Sequence, residues 1–298
     1  MSLSLWFSRM IFLRKLWIFF KIMHELFQAY LQFLIHPAHT DGVKMELSPV
    51  HPIARPERLF YHANPETLTL LTTVVNAEPG RVTLTESPFF PGGGGQLPDK
   101  GVIRWNSGEV AVTGFEPYGG RMWLRLADAV ELSGAVEASV DPAFRQMMRE
   151  LHTDTHLLNA FVYQQFNGAL VTGVQMNPDG TARMDFDLPD ADSERLRALD
   201  GHINDAIRQD LAVGDSYIPM DDAIDEPGLI RTRSVAPPPT PDGKIRIVEI
   251  AGLDRQACGG THLASTARSR LVRVLKIDNK GRHNRRVKIG LIGLAPGT

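Results

Sequence analysis

The sequence predicts an α+β protein in which a small N-terminal β-barrel domain precedes an α+β domain, and three observations predict it. From Arg58 to about Val140, short strand-like runs alternate with turn signals at the spacing of a small all-β barrel or sandwich. At Asp141-Pro142 the pattern switches to helical periodicity. Beyond that helix, strands and helices mix. With 298 residues, 43% of them hydrophobic, the chain is long enough for two domains with their own cores. The expected division is an atypical extension over 1–44, the barrel domain over 45–143 and the α+β domain over 144–298.

Residues 1–44 are rich in Trp, Phe, Leu and Ile, but Arg9, Arg14, Lys15, Lys21 and Glu25 interrupt them, and the longest unbroken apolar stretch runs only from Leu16 to Phe20. A spanning helix needs ~20 mostly apolar residues, and a secretory signal needs an apolar run of roughly 7 to 15 before a small-residue cleavage site. Neither pattern is met, so no membrane partner is expected. The segment is read as sequence upstream of a start at Met45, or dispensable, ahead of a basic amphipathic surface helix.

In the barrel region strands are expected at Thr67–Val75, Val102–Trp105, Glu109–Val112 and Met122–Leu126. They are separated by breaks at Glu78-Pro-Gly80, Pro91-Gly-Gly-Gly-Gly95, Asn106-Ser-Gly108 and Tyr118-Gly-Gly120. A helix then spans Phe144 to about Phe166, with Met147, Leu151, Leu158 and Val162 on one face. There follow a strand pair around Ala169–Gln175 and Ala182–Leu188 with a turn at Asn177–Gly180, and a polar helix over Ser193–Leu211. After a proline-rich loop at Ala236–Pro241, strands are expected at Ile245–Ile250, Leu271–Ile277 and Val287–Leu291.

Two motifs carry chemistry. His152-Thr-Asp-Thr-His156 puts two imidazoles one turn apart on a helix face, where they can share an ion. Such a pair alone is as compatible with two partly buried helix histidines as with metal. Cys258-Gly-Gly-Thr-His262 adds a thiolate and a third imidazole at the same spacing, with Gly259 and Gly260 letting the backbone turn tightly around an ion. The resulting His3Cys set suits one Zn2+ better than Mg2+ or Ca2+, which prefer oxygen donors. Roughly a hundred residues separate the halves, so the site closes a domain rather than a finger. A zincin would carry Glu where Thr153 stands. A Cys258–His nucleophile remains an alternative, but it leaves His152 and His156 unexplained.

A net charge of -2 gives no global attraction to nucleic acid, so any RNA contact needs a local basic surface. Leu271–Gly290 supplies one: Arg273, Lys276, Lys280, Arg282, Arg285, Arg286 and Lys288 face a single acid, Asp278. The lone cysteine rules out an intramolecular disulfide and suits a reducing, cytoplasmic setting. No obligatory protein partner is inferred.

The two motifs, in this order, resemble the editing domain of alanyl-tRNA synthetase and its free-standing relatives, the AlaX proteins. So do Pro88–Gly101 with its glycine run, Val171–Gln175, Arg183–Asp187 and Lys276–Lys288, and the resemblance covers about residues 57–291. It implies a zinc-containing editing domain behind a β-barrel, with no room left for an aminoacylation domain. Asp154 stands where members of this family often have a small residue. The implied activity is zinc-dependent hydrolysis of mischarged tRNA(Ala), Ser-tRNA(Ala) first and Gly-tRNA(Ala) second. A synthetase pocket discriminates weakly against a small added polar group, so a second sieve answers the serine error. The rival reading is a zinc-stabilised tRNA-binding module without catalysis.

The resemblance also sets Thr172, Gly173 and Gln175 beside the metal as an acyl pocket. The tRNA acceptor end is expected on Lys276, Lys280, Arg282, Arg285 and Arg286 of the basic run and on Gly93, Gly94 and Gln96, where glycine lets backbone approach, although the glycine run reads equally well as a plain hairpin tip. Four protein ligands would leave an ion little room, so either one of them is weak or the ion mainly orients substrate.

Overall fold

Six strands close a barrel in the order β1-β2-β5-β4-β3-β6: β1 (Thr69–Glu78), β2 (Arg81–Leu84), β3 (Gly101–Trp105), β4 (Gly108–Tyr118), β5 (Arg121–Leu126) and β6 (Ala135–Val140). The computed structural model describes residues 58–189, 192–232, 237 and 239–293. The extension expected over 1–44 lies outside the described residues, as do Ala236 and Pro238 of the proline-rich loop. The described residues fall in one unit, in which the short helix α1 (Phe60–Ala63) precedes the barrel. Val82, Ile103, Leu124, Val136 and Ala138 fill the barrel. β2 and β6 are absent from the sequence reading: β2 is four residues long, and inward Ala138 beside Ser139 gives β6 a weak alternation.

Asp141 ends the barrel and starts the long helix α2 (Pro142–Gln165). Its carboxylate accepts from the backbone N–H groups of Ala143 and Phe144, both at 3.0 Å, and Pro142 occupies the first helical position, where no N–H partner is needed. Along α2, Met148, Leu151, Leu157, Leu158 and Val162 are fully buried, each Leu contributing about 1.5–3 kcal/mol by burial. Met148 takes the central place expected of Met147, which packs only at the margin.

Two sheets lie beyond α2. One has the order β12-β13-β8-β7, from β7 (Val171–Met176), β8 (Thr181–Asp187), β12 (Val272–Lys280) and β13 (Asn284–Leu291), all antiparallel; its inner face, with Met184, Phe186, Val287 and Ile289, shares one core with α2. The other has the order β11-β10-β9, from β9 (Val213–Pro219), β10 (Lys244–Ile250) and β11 (Asp254–Ala257). The polar helix expected over Ser193–Leu211 is two helices, α3 (Ser193–Arg197) and α4 (Leu199–Arg208), separated at Ala198. The short helix α5 (Met220–Asp225) follows β9. β9 escapes sequence patterning because Gly214, Asp215 and Ser216 are poor strand formers; its partner β10 imposes the conformation. Among the described residues, no helix is long and apolar enough to cross a membrane.

The barrel region is tied to the α+β region at α2 and at β7. Arg145 and Asp99 form a buried ion pair. The glycine-rich segment docks on β7, where Gly95 accepts from the N–H of Met176 at 2.8 Å. Gly95 has φ +83°, and a Cβ there would stand 2.6 Å from the carbonyl oxygen of Val174, so only glycine fits.

Candidate metal centre

His152 and His156 leave the buried middle of α2 one turn apart, and Cys258 and His262 arrive on the segment that follows β11. One donor atom from each of the four lies within 4.8 Å of all the others, and all four residues are buried. Cys258 Sγ is 3.4 Å from His152 Nε2 and 3.3 Å from His262 Nε2. A thiolate at ~2.3 Å and an imidazole at ~2.0 Å from a tetrahedral ion stand about 3.5 Å apart. The cluster can therefore hold a metal.

Each imidazole is fixed through its other nitrogen. His152 Nδ1 lies 2.8 Å from Gln96 Oε1, His156 Nδ1 is 3.0 Å from Asp254 Oδ2, and His262 Nδ1 is 3.4 Å from Thr153 Oγ1. Outer partners of this kind set ring orientation and tautomer and raise ligand basicity. They are themselves anchored. Gln96 Oε1 also accepts from the Thr261 N–H at 2.9 Å, and Gln96 Nε2 donates to Thr261 Oγ1 at 2.7 Å. Arg231 donates to Asp254 Oδ1 at 2.8 Å, and Gln256 donates to Asp254 Oδ2 at 2.6 Å.

The electrostatics suit a cation. Burial alone would disfavour the Cys258 thiolate, but His152, His262 and His156 override it and hold the thiol well below its ordinary value. Burial works against the His156 imidazolium, yet Cys258 and Asp254 hold its pKa at about 9. Asp154 is fully buried and accepts from Ser269 Oγ at 3.0 Å; burial raises its carboxyl well above the usual range and favours its neutral form.

The Gly-Gly step has a different cause from the one expected. A Cβ on Gly260 would sit 2.0 Å from His152 Cε1, so the position is kept empty by an imidazole, whereas Gly259 is open apart from Pro237 at 3.4 Å. Gly260→Ala is expected to push His152 off the cluster, lowering stability by about 1–3 kcal/mol and abolishing stoichiometric metal uptake. Denaturant midpoints and metal analysis check this; full metal content in the variant would refute it.

Other expected site residues are placed differently. Gln96 is 3% exposed and committed to His152 and Thr261, not presented to RNA. Gly93 and Gly94 are at the open tip, where an added Cβ meets nothing within 4 Å. In β7, a bulge at Thr172 interrupts the register between Val171 and Gly173. Thr172 Oγ1 donates to Asn284 at 3.2 Å, Gly173 faces Asp185, and exposed Gln175 accepts from Arg183 at 2.9 Å. Among the described residues none of the three bonds to the four cluster residues.

The basic run divides by strand alternation. Lys276, Lys280, Arg286 and Lys288 lie on the outer face of their sheet, with Arg282 in the turn between β12 and β13. Arg285 points the other way and donates to the Pro189 carbonyl at 2.7 Å. Arg286 is held by Asp185 at 2.6 and 2.7 Å, and Lys276 by Asp278 at 2.9 Å.

Asp254, Gln256, Asn159 and Arg231 escaped the sequence reading. One signal was available: positions 254, 256 and 258 alternate, so β11 turns Asp254, Gln256 and Cys258 to one side. Asp254→Asn is expected to weaken metal affinity about 10- to 100-fold, because His156 loses an anionic partner and Arg231 is left unpaired. Chelator competition checks this; unchanged affinity would make the Asp254 contact incidental.

Residues 245–288 match the family model for the threonyl and alanyl tRNA synthetase second additional domain. The chain is 33% identical over 218 residues to the alanyl-tRNA editing protein AlaX-M of Saccharolobus solfataricus, covering 72% of this chain and 90% of that protein. It is 31% identical over 219 residues to AlaX-M of Methanosarcina barkeri, covering 71% and 88%. It is also 32% identical over 225 residues to alanine–tRNA ligase of Cutibacterium acnes, of which it covers 25%.

Proposed function

The chain belongs to the AlaX-M family of alanyl-tRNA editing proteins, and on that premise we propose that it hydrolyses the ester of mischarged tRNA(Ala) without charging tRNA itself. The preferred substrate is Ser-tRNA(Ala), with Gly-tRNA(Ala) second, and the setting is the cytoplasm. The observation that carries this reading is the buried cluster that gathers three imidazoles and one thiolate, with His152 and His262 turning Nε2 toward the sulfur and each of the three Nδ1 atoms held from behind. Residues 45–143 serve as the barrel domain and 144–298 as the deacylase domain.

The N and S donors favour one Zn2+ held by His152, His156, Cys258 and His262. When bound, the ion supplies a fixed positive charge that polarises an ester carbonyl or lowers the pKa of a water. The chain's own residues do the rest. An aminoacyl ester is activated, so its hydrolysis needs an oriented water, stabilisation of the oxyanion and exclusion of bulk solvent. Gln96, Asp254 and Thr153 keep the imidazoles from reorienting as charge develops. Thr172, Gly173 and Gln175 form the acyl side. Bulges re-aim side chains, and Thr172 is half-buried, so its hydroxyl is the group we assign to a serine side chain. The acceptor end is taken by the open tip at Gly93 and Gly94 and by Lys276, Lys280, Arg282 and, on the same outer face, Arg286, while Gln96 and Arg285 support from behind.

One observation favours the rival reading: four protein donors can complete a tetrahedral shell, as structural zinc sites do. The test is deacylation of Ser-tRNA(Ala), Gly-tRNA(Ala) and Ala-tRNA(Ala) by zinc-loaded protein. Serine release with Ala-tRNA(Ala) spared is expected; binding of all three with no release would leave a tRNA-binding module.

A further inference from the structure

The backbone between Cys258 and His262 is held from two sides, and its outer side presents carbonyls. Arg246, on β10, donates from Nη1 to the carbonyls of Cys258 at 3.1 Å and Gly260 at 2.9 Å, and its own carbonyl accepts from the Cys258 N–H at 3.1 Å. His62, on α1, takes the carbonyl between them, with Nε2 2.9 Å from the Gly259 oxygen. A carbonyl only accepts, so Nε2 is the protonated nitrogen. Burial, and then Arg246, hold the His62 pKa at about 3, so the ring is neutral. Three successive carbonyls are thus met by two side chains from separate elements.

The inner side presents N–H groups. Among the described residues no peptide bond is cis, and a trans peptide points its N–H opposite to its carbonyl. The peptide whose carbonyl His62 holds therefore sends the Gly260 N–H inward, where it lies 3.4 Å from Cys258 Sγ. The peptide that Arg246 holds at the Gly260 carbonyl sends the Thr261 N–H inward, where it donates at 2.9 Å to Gln96 Oε1, the atom that also fixes His152. Each of these two peptide units is pinned at both ends. An N–H aimed at the sulfur favours the thiolate form.

Both holders are themselves placed. Arg246 is 9% exposed, and its Nε stands 3.3 Å from Asp215 on neighbouring β9. The His62 ring meets Tyr61 edge to face with centroids 4.6 Å apart, and Tyr61 meets Phe90 in the same way at 5.4 Å. The Phe90 N–H donates to Asp99 across the base of the glycine-rich segment, so α1 reaches from that base to the metal loop.

We propose that Arg246 and His62 are positioning residues of the metal centre, a two-armed clamp that turns the backbone of 258–261 so that its N–H groups face the thiolate and Gln96. The proposal rests on the reading of the cluster as a zinc site and does not need the deacylase reading. With an arm removed, the freed peptide can rotate, its N–H leaves the sulfur or Gln96, and the thiolate or His152 loses its outer partner.

The test is zinc release to a chelator and the absorption spectrum of the cobalt-substituted full chain, measured on Arg246→Met, His62→Leu and His62→Gln. Arg246→Met is expected to weaken zinc affinity about 10- to 100-fold and His62→Leu about 10-fold, the scale on which outer partners act. Both should shift the thiolate-to-cobalt charge-transfer band, which follows the charge on the sulfur. His62→Gln, whose amide nitrogen can donate to the same carbonyl, should bring both readouts back toward the unmodified chain, and it decides the matter if Arg246→Met does not fold. Equal losses in His62→Leu and His62→Gln would overturn the proposal, and so would folded variants that lose stability while keeping zinc affinity and the cobalt band, as a merely structural role requires. An unmodified chain that takes up no zinc would overturn it as well. Serine release from Ser-tRNA(Ala), measured alongside, separates the two readings: a clamp response without release keeps the clamp and removes the deacylase reading, whereas release with indifferent variants removes the clamp alone.

Discussion

Cys258→Ala is expected to leave a folded chain that no longer carries stoichiometric zinc and deacylates Ser-tRNA(Ala) at least ~10³-fold more slowly, the several kcal/mol of charge stabilisation that a bound ion contributes. Cys258 is the only anionic donor of the four, so the variant keeps three imidazoles with no charge to offset the ion's desolvation. The same imidazoles hold the thiol low, so removing it takes away the group toward which the Nε2 atoms of His152 and His262 are turned. The fold should survive because a small buried side chain becomes a methyl group, with Met148, Leu151 and Leu158 untouched. Metal analysis, circular dichroism and single-turnover deacylation make the three readouts. Zinc lost with activity kept would sever the ion from catalysis; zinc kept would show that the thiolate is not a needed ligand.

What the sequence made legible here follows from how local the information is. His152 with His156, and Cys258 with His262, could be found because four-residue spacings are printed in the chain. That the two pairs meet was an inference from donor chemistry, and it agrees with where α2 and the end of β11 lie. The tie of Gln96 to His152 has no address in sequence: the two are 56 positions apart, and the docking of Gly95 on Val174 and the bonds to Thr261 aim the amide. The basic run was legible as charge but not as distribution. Strand alternation sends Arg285 and Arg286 to opposite faces, and Asp185, 101 residues upstream, neutralises Arg286. In the same way β9 reads as a loop until β10 pairs with it.

Arg145→Met is expected to cost about 3–5 kcal/mol of stability, because it leaves the Asp99 carboxylate buried without its counter-ion. The pair is almost wholly enclosed, with side chains 1% and 0% exposed. Asp99 accepts from Arg145 Nε at 2.9 Å and from the Phe90 N–H at 2.6 Å, while the Asp99 N–H donates to the Phe90 carbonyl at 2.9 Å. Phe90 and Asp99 therefore close the base of the glycine-rich segment, and Arg145 ties that base to α2, also donating to the Pro88 carbonyl at 2.7 Å. Denaturant midpoints of Arg145→Met, Asp99→Leu and the double variant separate two effects. If desolvation dominates, the double variant regains most of the loss, since an apolar pair of similar volume replaces a buried ion pair at little cost. The segment's tip carries Gln96 to His152, so the single variant should also release zinc more readily to a chelator, in parallel with its lost stability. A loss under about 1 kcal/mol would place Asp99 within reach of water or another cation and remove Arg145 as the anchor between barrel and metal centre.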